Sequence, residues 1–231
     1  MLGSNSLIPI RDDNPTSTFS YLTVALIVLN VLIFFTEPQL GAGDSCRLNI
    51  FFYKWGVVPV EITEGGPLEG TLRACPGMPL EAKSVIASMF TSMFLHGGLL
   101  HLGGNMLFLW VFGNNIEDVL GKVRYVIFYL LAGLAATMAH VLANPASEVP
   151  TVGASGAISG LLGAYLILFP HAQVTTLVPL FIFIQFMQLP AIVVLALWFV
   201  SQFFIGAGQQ AGGAGVAWVA HVGGFVAGMI L

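Results

Sequence analysis

The sequence predicts an all-α membrane protein, in which a bundle of six transmembrane helices carries one large extramembrane loop near its start. Of the 231 residues, 57% are hydrophobic and only 8% are charged, and the mean hydropathy is +0.90. A soluble domain carries about 25% charged residues. The charges are also clustered, since none lies between residues 84 and 116 or after Glu148. The 27 glycines exceed the usual share of about 7%, which suits membrane helices that pack closely.

The first predicted helix follows a polar N-terminal segment, residues 1–18. The apolar run from Phe19 to Phe35 has neither a lysine-rich lead nor a small-residue cleavage site, so we interpret it as a transmembrane helix rather than a signal peptide. Residues 37–83 hold most of the charge and are rich in glycine and proline, which predicts the large first loop. Within it, the aromatic stretch 49–56 is typical of a membrane interface.

Five further apolar stretches predict the other transmembrane helices: Leu100–Val119, Tyr125–Ala143, Ser155–Phe169, Leu189–Ile205 and Ala214–Leu231. The stretch that begins at Ser155 has about 15 residues, or roughly 22 Å, and falls short of a hydrocarbon core of about 30 Å. We therefore expect its start, from Gly153, to lie below the membrane surface, where irregular backbone is tolerated only inside protein or beside water. Residues 19–231 would form one helical membrane domain.

The orientation depends on Lys122 and Arg124, the densest basic site between two predicted helices. Short cytoplasmic loops are enriched in Lys and Arg. This connection therefore predicts a cytoplasmic N-terminus and a first loop on the outer face. We expect a multi-pass protein of a bacterial or archaeal cell membrane.

Composition also excludes several kinds of partner. A net charge of −4 with seven Lys and Arg residues provides no basic cluster for nucleic acid. Cys46 and Cys75 match no metal-binding or CxxC spacing, so we expect no metal site and no cofactor. Free thiols and a single bridge between the two cysteines both stay open.

Three polar features lie inside the apolar stretches, where polar groups are costly and need partners. His101 and Asn105 are four residues apart and therefore project from one helix face. Ser155 begins a helix, where backbone amides lack partners, and His221 lies on a stripe of small residues at helical spacing. Taken singly, each feature has a plain alternative: an interhelical hydrogen bond, a helix cap or a satisfied core histidine.

Together, the three features supply the parts of an acyl-transfer site. Serine is a weak nucleophile until a base, usually a neutral imidazole, takes its proton, and Ser155 with His221 fits this pair. The tetrahedral intermediate needs hydrogen-bond donors for its oxyanion. The Ser155 amide, His101 and Asn105 are candidates for that role. Since no Asp or Glu follows Glu148, serine and histidine would act as a dyad.

These residues carry a resemblance to the rhomboid family of intramembrane serine proteases. The similar segments run in order over nearly the whole chain from about Phe19 and include a GxSG motif: Gly56–Pro59, His96–Asn105, Gly153–Gly156, Leu189–Phe199 and Ala220–Phe225. The resemblance implies a six-helix bundle of the rhomboid type, with Ser155 as the nucleophile and His221 as the general base. It also implies that His101 and Asn105 stabilise the oxyanion.

The resemblance further implies how the site is assembled. The helix of Ser155 would pack on the last helix through small motif residues, which are Gly153, Gly156, Gly160, Gly224 and Gly228. The family often has an aromatic residue four positions after the nucleophile, packed on the base, but Ser159 stands there in this chain. The glycine-rich stretch 206–213 is a candidate for a mobile cap over the site, with a plain surface loop as the alternative.

The activity implied is hydrolysis of peptide bonds in or near transmembrane segments of membrane-protein substrates in the lipid bilayer. A catalytically inactive relative that binds membrane clients is the main alternative, although both Ser155 and His221 are present. A small transporter would show an internal repeat or an intramembrane carboxylate, and we find neither. A haem protein would use His101, His140 and His221 as axial ligands. The substrate, the organism and the oligomeric state stay open.

Overall fold

The computed structural model describes residues 7–38, 45–71, 75–180, 183–209 and 217–231, most of them helical. The helices are α1 (Tyr21–Phe34), α2 (Ser45–Trp55), α3 (Pro59–Glu64), α4 (Val85–Thr91), α5 (Leu99–Leu120), α6 (Lys122–Ala143), α7 (Ser155–Leu168), α8 (Ala191–Gln209) and α9 (Trp218–Ile230). The strands are β1 (Ile8–Asp12), β2 (Gln173–Leu180) and β3 (Phe183–Pro190).

Each predicted transmembrane helix has a helical counterpart, and these are α1 and α5 to α9. By length and apolarity, α6 alone among the described helices could cross a membrane unaided. Its 22 residues correspond to about 33 Å. The segment Val85–Phe94, which contains α4, qualifies together with α5 as one span bent by 81°. The number of transmembrane helices therefore stays a prediction.

Helix α7 lies at the centre of the fold. It packs against α5, α6, α8 and α9, and every residue from 157 to 165 is buried. A helix that is apolar on all sides can be enclosed in this way. Large aromatic rings fill the space around the C-terminal end of α7, where the rings of Phe112 and Tyr165 meet edge to face at 4.9 Å. This packing fixes the position of the residue that begins α7.

The fold is not all-α, because β1, β2 and β3 form an antiparallel sheet in that order. Ile8, inside the predicted polar segment, pairs with Leu177. We predicted only helices and had the fifth transmembrane helix begin at Leu189, which was wrong, because Leu189 belongs to β3. Residues 173–190 are rich in β-branched and aromatic residues, which favour strands, and α8 begins only after the sheet ends.

The sheet marks one end of the helices, which we call the sheet end. There the Tyr165 hydroxyl of α7 donates to Asp12 of β1 at 2.6 Å. Glu117, near the end of α5, accepts hydrogen bonds from the backbone N–H groups of Leu22 and Thr23 at the start of α1. The first amides of a helix lack intrahelical partners and carry partial positive charge, so a carboxylate stabilises them. The short connection from α5 to α6 lies at this same end.

The first loop folds over the opposite end, which we call the loop end. Val57 pairs with Thr151, just before α7, through backbone hydrogen bonds in both directions. Glu61 of α3 and Lys83 form a buried ion pair, and Lys83 also donates to the Gly56 carbonyl at 3.0 Å. Because these contacts satisfy the buried charges, the loop is a folded unit fixed to the segment that leads into α7.

The two cysteines form a disulfide within this loop unit. Cys46 of α2 and Cys75 are 29 residues apart in sequence, and their Cα atoms lie 5.4 Å apart. Of the two alternatives that the sequence left open, the structure shows the bridge.

The predicted glycine-rich cap is described only in part. Residues 206–209 form the end of α8 rather than a loop, because no proline interrupts the helical run there. Residues 210–213 lie outside the described residues. Ala214, where we expected the last helix to begin, also lies outside the described residues. The structure describes α9 from Trp218 onwards.

Candidate active site

Ser155 is the first residue of α7 and follows a sharp bend of the backbone. Gly153 has a φ of +134°, a conformation that L side chains rarely adopt, and its N–H donates to the Ser92 carbonyl at 2.8 Å. Ala154 occupies the N-cap position, so Ser155 is not the capping residue. The N–H of a first helical residue has no intrahelical partner, which leaves that of Ser155 available to a ligand.

His221 of α9 contacts Ser155 directly. The imidazole Nε2 lies 2.7 Å from the serine Oγ, and both residues are buried. The structure therefore brings together the predicted nucleophile and the predicted base in the geometry of a hydrogen bond.

Glycines allow α7 and α9 to approach each other backbone to backbone. A Cβ atom on Gly228 would overlap the backbone of Gly160, and one on Gly224 would overlap the Gly156 carbonyl. A Cβ atom on Gly163 would likewise overlap the backbone of Phe225. These positions belong to the glycine pattern seen in the sequence, and they explain how a side chain as short as serine reaches the histidine of another helix.

Gln202 of α8 holds the second ring nitrogen of His221. Its Oε1 lies 2.7 Å from Nδ1, and the residue is 2% exposed. Trp198, one turn earlier on α8, has its ring 6.2 Å from the imidazole. Neither α8 residue was among the predicted site residues. A glutamine in an otherwise apolar helix is the signal that could have found Gln202, since polar groups in such helices need partners.

Ser159, at the position where the family often has an aromatic residue, does not contact the base. Its hydroxyl donates to the carbonyl oxygen of Ser155 at 2.5 Å. This is a back-bond within one helix, as serine often makes in a helix interior. Besides Ser155, the described side chains that contact the His221 ring are Gln202 and Trp198 of α8.

His101 and Asn105 come from one face of α5. A Cβ atom on Gly153 would lie 3.0 Å from His101 Nε2 and 3.5 Å from Ser155 Oγ, so the imidazole and the hydroxyl border the same small gap. Asn105 is fully buried, and neither atom of its amide has a hydrogen-bond partner among the described residues. An unpaired buried amide is unusual, and this one can donate to a ligand oxygen.

His96 precedes α5 and extends the polar cluster. Its ring lies 5.2 Å from that of His101, and its backbone N–H donates to Glu37 at 2.9 Å. Glu37 follows α1, and burial raises the pKa of its carboxyl to about 7. A carboxyl group that titrates near neutrality therefore lies beside the histidine pair. Glu37 was not among the predicted site residues.

The described part of the chain shows no evident cluster of metal-binding side chains. Among those residues, no group of three or more His, Cys, Asp and Glu side chains could hold a metal. Both ring nitrogens of His221 are engaged, by Ser155 and Gln202, which leaves none for a haem iron. The haem alternative therefore has no support in this geometry.

A family model described as the rhomboid domain matches residues 83–231. The chain belongs to the rhomboid family. The match includes α4 to α9 and with them Ser155, His221, His101 and Asn105. The protein is therefore a mostly helical membrane protein of the rhomboid fold.

Several curated rhomboid proteins are similar to this chain. RHOMBOID-like protein 5 of Arabidopsis thaliana is 32% identical over 163 residues, which are 68% of this chain and 53% of that protein. Rhomboid protease GluP of Bacillus subtilis is 31% identical over 153 residues, 66% of this chain and 25% of that protein. Rhomboid protein 1, mitochondrial, of Saccharomyces cerevisiae is 38% identical over 91 residues, 38% of this chain and 26% of that protein.

The rhomboid chain thus spans from about a quarter to about half the length of these curated relatives. The relatives come from a bacterium, a plant and yeast mitochondria. They therefore lend no support to a specifically bacterial or archaeal origin.

Proposed function

We propose that this rhomboid protein is an intramembrane serine endopeptidase that cleaves peptide bonds in or near transmembrane segments of membrane proteins. The observation that carries the proposal is the buried 2.7 Å contact between Ser155 Oγ and His221 Nε2. A neighbouring base of this kind makes a serine nucleophilic. The Bacillus subtilis relative is named a rhomboid protease, which supports the same activity here.

In the proposed reaction, Ser155 Oγ attacks the carbonyl carbon of the substrate while His221 Nε2 takes the hydroxyl proton. A C–O bond forms, and the carbonyl oxygen becomes an oxyanion that the Ser155 N–H, His101 and Asn105 stabilise. The imidazolium then gives its proton to the leaving amine as the C–N bond breaks, which leaves an acyl enzyme. His221 next takes a proton from water, and the hydroxide adds to the carbonyl carbon of the ester. The C–O bond to Ser155 then breaks, the imidazolium returns its proton to the serine Oγ, and the acid product leaves.

The proposed membrane orientation is supported by what lies at the two ends of the molecule. Lys122 and Arg124 lie at the sheet end, whereas Ser155 begins α7 at the loop end. Because basic connections favour the cytoplasmic side, the dyad would open towards the outer face. Helix α7 has 14 residues, about 21 Å, so its start would lie below the surface and be reached by water from that side.

The sheet supports the proposed number of crossings. β1 and β2 pair with each other, so both lie on one side of the membrane and the chain between them crosses an even number of times. Four crossings, by α1, α5, α6 and α7, meet this requirement. With α8 and α9 the total becomes the six transmembrane helices of the proposed topology.

Cleavage of a transmembrane reporter in proteoliposomes tests the proposal. Ser155→Ala and His221→Ala should each lower the rate by more than about a thousandfold, because nucleophile and base act as a unit. Ser159→Ala makes the same change one turn along α7, at a hydroxyl occupied within the helix, and should retain activity. Undiminished cleavage by either dyad variant would contradict the proposal.

A serine-directed fluorophosphonate separates the protease from the alternatives. We expect it to label Ser155 in the wild type and not in Ser155→Ala. If the protein binds the reporter but does not cleave it and does not react with the probe, it is instead an inactive relative that binds membrane clients. Flux of a solute into liposomes without labelling would point to a transporter.

A further inference from the structure

The imidazole of His221 can act as a base at Nε2 only if its proton sits on Nδ1. A neutral histidine carries one ring N–H, and the hydrogen bond made by one nitrogen determines the state of the other. In this protein Nε2 faces Ser155 and Nδ1 faces Gln202, each at 2.7 Å. The Gln202 atom that meets Nδ1 therefore decides which tautomer is stable.

Contacts within α8 fix the orientation of the Gln202 amide. Its Nε2 lies 3.2 Å from the Trp198 carbonyl oxygen and 3.2 Å from the Ser201 hydroxyl oxygen. The Ser201 hydroxyl donates its proton to that same carbonyl at 2.6 Å, so its oxygen is left as an acceptor. A flipped amide would place its oxygen against these two acceptors. The amide therefore presents its oxygen, which can only accept, to His221.

We propose that Gln202 is a positioning residue that holds neutral His221 with its proton on Nδ1 and its Nε2 lone pair towards Ser155. Its effect on catalysis rests on the proposed function, whereas the tautomer does not. Both Gln202 and His221 are 2% exposed, so water does not compete for the bond, and a buried N–H without an acceptor is costly.

Gln202 occupies the place that a carboxylate takes in a catalytic triad. The chain after Glu148 has no charged residue, and a buried charge there would need a partner of its own. An amide oxygen selects the tautomer while remaining neutral. The site thus gains an oriented base without placing a carboxylate in an apolar environment.

The test compares Gln202→Met with Gln202→Glu. Methionine has nearly the same length as glutamine but offers only a weak acceptor. Glutamate keeps an oxygen at the position of Oε1, and in its protonated form it can also donate to the Trp198 carbonyl. Gln188→Met makes the same change at an exposed position of β3 and is the matched control.

The first readout is ¹⁵N NMR of the histidine-labelled protein in bilayers, which reports the ring nitrogen that carries the proton. The His221 signal is assigned by its loss in His221→Ala. We expect the Nδ1–H tautomer in the wild type, Gln202→Glu and Gln188→Met, and a mixed or reversed population in Gln202→Met. An Nε2–H tautomer in the wild type, or an unchanged population in Gln202→Met, would overturn the inference.

The second readout is reporter cleavage. In Gln202→Met, kcat should fall about 10- to 100-fold while KM stays within about twofold, because the base is disturbed and the substrate contacts are not. Gln202→Glu should restore most of kcat. A kcat in Gln202→Met equal to that of Gln188→Met would overturn the positioning role. If the protein shows the expected tautomers but does not cleave the reporter, the result supports the tautomer inference and contradicts the proposed function.

Discussion

At the scale of single residues, the site holds neutral polar groups that lack partners. Asn105 is fully buried with both amide atoms unpaired among the described residues, and the ring nitrogens of His96 are unpaired there too. An unsatisfied buried polar group costs about 1–3 kcal/mol. Groups of this kind persist where a ligand completes their hydrogen bonds, which fits a site that binds an oxyanion during the reaction.

Asn105→Ala should lower kcat by about 100- to 1,000-fold, because one oxyanion donor contributes roughly 2.7–4 kcal/mol. Reporter cleavage measures the effect, and KM should change little. Asn114→Ala, further along the same helix towards the sheet end, controls for loss of folding. His101→Ala should show a partial loss in the same assay. Full activity in both Asn105→Ala and His101→Ala would remove these residues from the site.

Glu37 should make the protein less stable as pH rises towards neutrality. Burial raises the pKa of its carboxyl from an ordinary 4.5 to about 7, so between these values the folded protein holds a proton that the unfolded chain releases. The free energy of unfolding therefore falls from pH 4.5 to 7, by at most about 3 kcal/mol. Above pH 7 the loss is complete.

Thermal unfolding of the wild type and Glu37→Gln across this pH range measures the effect. The variant cannot titrate at residue 37, so its stability should change less between pH 4.5 and 7. Parallel pH profiles for the two proteins would show that Glu37 is not the group responsible.

The residues that the sequence could identify are those with a local pattern. Ser155 has the GxSG motif, and His101 and Asn105 have helical spacing. Gln202 belongs to no such motif or spaced pair, and only its contact with His221 in the folded protein gives it a role. The rotation of α8 about its axis decides whether residue 202 faces the base, and tertiary packing sets that rotation.

At the scale of helices, the dyad depends on the distance between α7 and α9. A serine hydroxyl extends only one bond beyond Cβ, so Ser155 reaches His221 only if the two backbones almost touch. The overlap that a Cβ on Gly224 or Gly228 would create with the α7 backbone shows how little space remains. Membrane helices use small residues for such close contacts.

Gly228→Ala should lower cleavage by about 100-fold, because a misplacement of 1 Å at a catalytic site can have that effect. The added methyl group would overlap the backbone of Gly160, which cannot rotate away as a side chain would. Circular dichroism should show unchanged helix content. Gly103→Ala on α5 is the matched control, since a Cβ there meets no atom within 4 Å. Wild-type rates in Gly228→Ala would contradict this account of the packing.

The sequence predicted helices where apolar runs are long, and it failed for the sheet. The run 173–190 is apolar without strict alternation and holds no charged residue, so periodicity cannot separate a strand from a membrane helix there. The partner strand β1 lies in a distant part of the chain, and local patterns do not reveal such pairings. The short helices α2 and α3 inside the first loop were missed for a similar reason, since their packing on the loop end stabilises them.

At the scale of the whole molecule, the first loop is fastened to the segment that leads into the site. The disulfide closes the loop on itself, and the buried pair of Glu61 and Lys83 ties α3 to the stretch before α4. Val57 then pairs with Thr151, four residues before Ser155. Direct contacts therefore connect the first loop to the backbone that precedes Ser155.

Replacing both cysteines by serine should lower the free energy of unfolding by about 3.6 kcal/mol, because the bridge restricts the conformations of the unfolded chain between residues 29 positions apart. A reductant should lower the Tm of the wild type and leave that of the double variant unchanged. Mass spectrometry of peptides without reduction checks the bridge between Cys46 and Cys75. Free thiols at both positions would contradict it.

The pairing of β1 with β2 also has a consequence for biosynthesis. β1 leaves the ribosome well before its partner strand, which begins at Gln173. Because the chain is synthesised at about 5–20 residues per second, β1 stays unpaired for roughly ten to thirty seconds before β2 is complete. The bond from Tyr165 to Asp12 forms late for the same reason. During that interval the nascent chain exposes an unpaired strand edge, the feature that chaperones and quality-control proteases encounter in an unfinished fold.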